Sequence, residues 1–385
     1  AVKSEGGLEA HDDELPDTDL YTDEDCAVEF PNLVPGYVRE GEPIFQLPPE
    51  ELVPEVTIRA DVLSEERDWG HGPLQLKELH DKGVRGAGVT VAVCDTGIDF
   101  AHPDLSPRKA PSGHKNFTTS NTADFADRQG HGSHCSGIVA ASDTGDGIIG
   151  SAPEARLMAV KVLSDQGSGA STWINAGVIH AADSGADIIS MSLGGGGADQ
   201  DSLNAIRYAI SKGCWVVVAA GNSGQGGIDY PGGYAECVTV AATDPDNKVA
   251  SFSSRGRALD VAAPGVSILS TYPGNRYAKL SGTSMATPYV AGCLALVRGE
   301  LKKRGMSIPS QAEIEKLSRE TAKDLDAPGF DTNTGFGLIQ PVALLAKLLA
   351  GAPVPPPPVN PPTPPQPNPG PGGFNQAQCG GVFVR

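Results

Sequence analysis

Short apolar, β-branched runs punctuate the middle of the chain at 89–94, 156–163, 187–192, 215–220 and 237–242. Runs of that length and composition read as strands buried in a sheet. Between and after them, 171–184, 199–212 and 283–304 read as helices, as does 132–141, with His131 at its mouth. Strand-then-helix alternation predicts an α/β fold in three layers. Its core is a doubly wound, mostly parallel sheet with helices on both faces, and ligands bind at the carboxyl ends of the strands. Pro288 falls inside the last of these helices, where proline removes a backbone hydrogen bond; close to the helix start the damage is smaller. The apolar stretch 342–349 is short and carries Lys347, so it reads as a helix packed on the core, and no run is long enough to span a bilayer.

The ends break this pattern. Residues 1–68 form an acidic, proline-bearing extension. Its start, around 9–19, has too few apolar groups to bury a core and is expected to be disordered. Residues 30–58 mix proline with valine and are expected to lie on the body as extended segments. The folded body is drawn at 69–350. Residues 351–373 are proline-rich and nearly uncharged, a semi-rigid linker. The tail 374–385 is too short for a domain and reads as the start of a missing C-terminal module. The chain opens on Ala1 with no charged-then-apolar leader, as expected of one already processed.

With 29 Lys and Arg against 47 Asp and Glu, the 385 residues carry a net charge of −18. Phosphate binding needs a basic face, so nucleic acid is excluded as a partner and the acidity reads as solubility. Seven cysteines are an odd number and too few for a disulfide scaffold. Cys94 and Cys135 read as free thiols. Cys214 and Cys237 begin consecutive strands, which leaves a bridge between them sterically open, and Cys26 and Cys379 lie in the tails.

The candidate chemistry sits in distant islands: Asp95-Thr96-Gly97, Gly130-His131-Gly132-Ser133-His134, and Gly282-Thr283-Ser284-Met285. A serine hydroxyl is a weak nucleophile at neutral pH. It needs an imidazole to take its proton and a buried carboxylate to hold that ring. Asp95 stands at a strand end, His131 at a helix mouth and Ser284 at a helix start, which brings all three to one cleft. A fourth island, Gly221-Asn222-Ser223-Gly224, follows the strand at 215–220; its amide can meet a developing oxyanion beside the Ser284 N–H. Asp143-Thr144-Gly145 repeats the Asp-Thr-Gly motif and offers a carboxylate dyad as a rival, but that chemistry needs a largely β framework. Cys135 lies one turn from His131, yet a Cys–His pair would leave the Ser284 island unexplained. Asp99, His102 and His134 read as supporting residues.

Together with His102-Pro103-Asp104-Leu105, Ser192-Leu193-Gly194-Gly195, Ser251-Phe252-Ser253-Ser254 and Ala263-Pro264-Gly265-Val266, these islands make the chain resemble the subtilisin-like serine proteases from about residue 69 to about residue 349. The resemblance implies a secreted, monomeric serine endopeptidase acting on proteins or peptides through an acyl-enzyme on Ser284. Its catalytic groups would be Asp95, His131 and Ser284, with Asn222 and the Ser284 N–H at the oxyanion. It also implies that Ser192, Leu193 and Gly194, with Gly221, wall a specificity pocket, and that Ser168 and Gly169 pair with the substrate's other edge. Asp229, before Tyr230-Pro231, would line the pocket floor and favour Arg or Lys before the scissile bond. A structural calcium is implied at Asp104 and the loop oxygens of Ser142, Thr144, Asp146 and Ile148, although Thr144 stands where the family often has Asn. The family usually carries an inhibitory N-terminal prodomain, but residues 1–68 lack a clear alternation of strands and helices, so they read as a propeptide remnant or an unrelated extension, with inhibition by this segment left open. Rival readings are a latent zymogen and a non-catalytic binding protein on the same fold.

Overall fold

The computed structural model describes residues 35–38, 41–48, 54–59 and 66–351. The expected disordered start, most of the linker, the tail, Cys26 and Cys379 lie outside the described residues. In chain order the strands are β1 (Ile44–Gln46), β2 (Val56–Arg59), β3 (Thr90–Asp95), β4 (Lys115–Asn116), β5 (Arg156–Lys161), β6 (Ser168–Ala170), β7 (Ile188–Met191), β8 (Trp215–Ala219), β9 (Val238–Thr243), β10 (Val261–Pro264), β11 (Ile268–Tyr272) and β12 (Arg276–Leu280). The helices are α1 (Leu76–Asp81), α2 (His131–Ala140), α3 (Ser171–Asp183), α4 (Gln200–Ser211), α5 (Thr283–Lys303), α6 (Gln311–Thr321) and α7 (Pro341–Ala350).

Seven strands form one sheet in the order β10-β9-β8-β7-β3-β5-β4, and every neighbouring pair is parallel. Successive side chains serve opposite faces. Val91 and Val93 of β3, Leu157 and Ala159 of β5, and Val217 of β8 pack on the side of α2 and α5. Ala92, Cys94, Met158, Val160 and Val218 pack on the side of α3 and α4. Both faces are dry, which is why the runs read as continuous apolar stretches. Each fully buried Val or Leu contributes about 1.5–3 kcal/mol of transfer free energy. Helix α5 is buried around its whole circumference from Thr283 to Leu301, so it runs through the core.

From β3 the chain winds out to β4 and β5, then returns to β7 and continues to β10. The β3–β7 neighbourhood is therefore the point where the winding reverses, and a crevice opens beyond the strand ends there. Asp95 closes β3, Ser192 follows β7, and Asn222 comes three residues after β8.

Two smaller sheets border this crevice. β11 and β12 pair antiparallel, and β2 joins β12. The connecting turn, Pro273-Gly274-Asn275, has Gly274 and Asn275 at positive φ. β12 leads directly into Gly282 and α5, which positions Ser284. β1 pairs antiparallel with β6, Phe45 opposite Gly169. Thus both described strands of the N-terminal extension add to the body.

Five cysteines among the described residues, Cys94, Cys135, Cys214, Cys237 and Cys293, are free and buried. Cys214 and Cys237 do not form the bridge that their strand positions left open; the Cys214 thiol instead donates to the Ala186 carbonyl at 3.1 Å.

Candidate active site

Asp95 and His131 are fully buried, and His131 Nδ1 lies 2.9 Å from Asp95 Oδ1 and 3.0 Å from Oδ2. The strand end holds the carboxylate and the helix mouth holds the ring. Their approach depends on Gly132, where a Cβ would stand 2.2 Å from the Gly97 carbonyl oxygen. With Nδ1 turned to Asp95, Nε2 is the nitrogen left for proton exchange. Burial opposes charging this imidazole, but the Asp95 carboxylate outweighs it and holds the pKa well above the ordinary histidine range.

Ser284 is the second residue of α5. Pro288 has no N–H to give the Ser284 carbonyl, which would otherwise accept the fourth-next amide. That carbonyl is served from outside the helix, by Ser192 Oγ at 2.9 Å and by the Cys135 thiol at 3.4 Å. Ser284 Oγ donates in turn to the Ser192 carbonyl at 3.2 Å. Pro288 is thus compatible with the helix because Ser192, just after β7, and Cys135 of α2 supply the missing donors. Ser192 holds Ser284 through both its hydroxyl and its carbonyl, a contact its Ser-Leu-Gly-Gly motif did not signal.

Asn222 and Ser284 line one cleft with Leu193, Gly194, Gly221 and Asp229. Asn222 Oδ1 accepts from Thr283 N at 2.9 Å and Thr283 Oγ1 at 3.0 Å, so the NH2 end of the amide is turned away from Thr283. A helix N-terminus and an amide donor beside one hydroxyl form the arrangement that stabilises an oxyanion.

The half-buried Asp229 carboxylate sits between two glycine walls. A Cβ on Gly221 would lie 2.1 Å from Asp229 Oδ2, and one on Gly194 would lie 3.0 Å from Asp229 Cβ. Among the described residues no hydrogen bond or ion pair reaches this carboxylate, and desolvation raises its pKa. Ser168 and Gly169 face β1. The Leu47 N–H donates to the Gly167 carbonyl at 2.9 Å, and Leu47 and Pro48 line the cleft that holds Ser284. Phe45 is buried beside Ile174, Met191 and Tyr230. The chain's own extension therefore lies in the groove, which the sequence reading placed only as extended segments on the body.

The competing readings lose their geometry. Cys135 Sγ is 3.8 Å from His131 Nδ1, the nitrogen Asp95 already holds, and burial pushes the thiol pKa up, so it stays protonated. Asp143 pairs with Arg85 at the surface. His134 Nε2 lies 3.0 Å from the Ile268 and Ala278 carbonyls, and burial lowers its pKa to about 3. His102 Nε2 lies 3.0 Å from the Arg276 carbonyl, and Asp99 accepts from Ala101 and Gly274.

Around Asp104 the loop is closed by hydrogen bonds. Asp104 Oδ2 accepts from Ile148 N at 3.1 Å and the Tyr277 hydroxyl at 2.8 Å, Ser142 N donates to the Asp104 carbonyl, and Thr144 Oγ1 donates to the Asp146 carbonyl. The Ser142 hydroxyl is buried with no partner among the described residues. Asp104, Ser142 and Thr144 bring side-chain oxygens of the kind a hard cation takes, and Asp104 Oδ2 is here engaged by the Ile148 N–H and the Tyr277 hydroxyl.

A parallel α/β sheet that gathers an Asp–His pair, a helix-start serine and an amide donor at its strand ends defines a serine hydrolase. Residues 86–337 match the model of the subtilase family, and the chain belongs to that family. It is 46% identical to Subtilisin Savinase of Lederbergia lenta over 271 residues, 70% of this chain and 96% of that one. An alkaline protease of Alkalihalobacillus alcalophilus is 43% identical over 271 residues, 70% of this chain and 68% of its own. The major intracellular serine protease of Bacillus subtilis (strain 168) is 39% identical over 294 residues, covering 72% and 92%. The protein is a subtilisin-like serine endopeptidase.

Proposed function

We propose that the endopeptidase works through an acyl-enzyme on Ser284, with His131 as the proton carrier, Asp95 as its orienter, and Asn222 with the Ser284 N–H at the oxyanion. The buried Asp95–His131 contact, with Nε2 left for the reaction, carries this reading. His131 takes the Ser284 proton as the hydroxyl oxygen attacks the peptide carbonyl, then gives it to the leaving amine; water completes the cycle by the same route. The unpaired Asp229 carboxylate between Gly194 and Gly221 supports a preference for Arg or Lys before the scissile bond. The test is cleavage-site profiling on a peptide library, with Ser284→Ala as control. Cleavage confined to bonds after basic residues and absent in the control is expected; cleavage that survives in the control overturns the assignment.

The extension is proposed to hold the enzyme latent. β1 takes the edge of β6 that a peptide would add to, and Pro48 at the cleft lacks the N–H a substrate residue would donate. Calcium is proposed at Asp104 and the 142–148 loop as a structural cofactor. Chelator is expected to lower the melting temperature, and an unchanged melting curve overturns the site. No helix of the described residues is long and apolar enough to cross a membrane. Secretion follows from the family resemblance, whereas the five unpaired cysteines among the described residues and the intracellular relative favour a reducing compartment. Cell fractionation with an antibody to the chain decides between them.

A further inference from the structure

We infer that Asp127, through Thr96, is a positioning residue that sets the Asp95–His131 pair. Helix α2 begins on Gly130, which has no side chain with which to cap it. Its first amides are held from elsewhere. His131 N donates to Gln129 Oε1 at 2.7 Å, Gly132 N to Thr96 Oγ1 at 2.9 Å, and Ser133 N to Asp127 Oδ2 at 2.8 Å. Asp127 Oδ1 also accepts from Gln129 N at 3.0 Å and Gly130 N at 2.8 Å. The buried Asp127 carboxylate therefore does the work of an N-cap for the helix that carries His131.

The same carboxylate reaches the other partner. Thr96 Oγ1 donates to Asp127 Oδ1 at 2.9 Å, and Thr96 N donates to Asp95 Oδ1 at 2.6 Å. The Thr96 carbonyl accepts from the buried Lys161 ammonium, which pairs with Asp165. A closed ring thus runs from Asp127 through Thr96 to Asp95, across to His131, and back through Gly130 and Ser133. Moving Asp127 displaces both the orienter and the base. A cap serving α2 alone would not need the Thr96 arm. Burial raises the carboxyl pKa, but hydrogen bonds from Gly130 and Ser133 favour the charged form, and four donors directed at two oxygens require an acceptor on both.

The inference rests on Asp95, His131 and Ser284 being the catalytic groups. Asp127→Asn, which places an NH2 among those donors, and Thr96→Val, which removes the hydroxyl, are compared with Thr96→Ser, which restores it. Activity is expressed per Ser284 titrated by a fluorophosphonate, so unfolded protein does not count. Expected are a fall in kcat of about tenfold or more for Asn and Val, KM within about twofold of wild type, a displaced low-field proton resonance of His131 Nδ1, and recovery in Thr96→Ser. Should Asp127→Asn fail to fold, the Thr96 pair decides alone. A Thr96→Val enzyme with wild-type kcat per titrated serine and an unmoved resonance overturns the inference, whatever its melting temperature. A full-length chain with the extension unseated by Phe45→Ala and Leu47→Ala, in which Ser284 neither labels nor supports hydrolysis, overturns the catalytic assignment and the inference with it.

Discussion

The floor and the rim of the cleft are built on opposite plans. On the floor, Asp95, Thr96 and His131 have no exposure to solvent, and each is fixed by neighbours from a different element. On the rim, Gly194, Asn222 and Asp229 are half-buried, Gly196 and Gly197 are exposed, and the Asp229 carboxylate has no partner among the described residues. The floor sets up a reaction that serves any peptide bond. The proposed selection among peptides would fall to a few open positions on the rim, which a change of side chain can alter without disturbing the floor.

Four experiments bear on this contrast. Asp95→Asn should leave the fold intact and lower kcat by about 10⁴-fold. It should also move the acid limb of kcat/KM downward. In wild type that limb marks protonation of His131, whose pKa is raised, so activity is lost as pH falls through a value above 6.5. His134, with a pKa of about 3, adds nothing in that range. A limb that ignores Asp95 would break the account of the floor. On the rim, Asp229→Gly should change the ratio of cleavage after Arg to cleavage after Phe by on the order of tenfold to a hundredfold, with the acid limb unmoved. An unchanged ratio removes Asp229 from selection.

Unseating the strap with Phe45→Ala and Leu47→Ala should lower KM for a short peptide by about tenfold, because the extension competes at high effective concentration. Identical KM values would show that β1 does not restrain the enzyme. The smallest effect joins the two regions. Ser192→Ala leaves the Ser284 carbonyl with the weaker thiol donor alone, and denaturant unfolding should report a loss of about 1–2 kcal/mol. No change in the midpoint would mean that Pro288 needs no compensation from β7.

The floor was the more legible region, because its chemistry needs particular residue types at particular ends of elements. Asp95 at a strand end and His131 at a helix mouth follow from the apolar runs beside them. Strand boundaries came within one or two residues for β3, β7 and β8, since burial on both faces leaves an unbroken apolar signal. Thr96 and Asp127 were not seen. Their roles arise from hydrogen bonds between separate loops, and nothing in their local pattern separates them from turn residues. The β11–β12 hairpin is marked in the sequence only by its turn, Pro273-Gly274-Asn275. β1 was not legible as a groove occupant because the four residues between Pro43 and Pro48 carry little periodicity, and only pairing with β6 gives them a place.

The most direct test is to react the native chain with a fluorophosphonate and locate the adduct by peptide mass spectrometry. The account predicts one adduct per active chain, on Ser284, with labelling strongly slowed by His131→Ala and hydrolysis lost in step with it. An adduct at another residue, or full hydrolysis by a chain whose Ser284 is wholly modified, would contradict it.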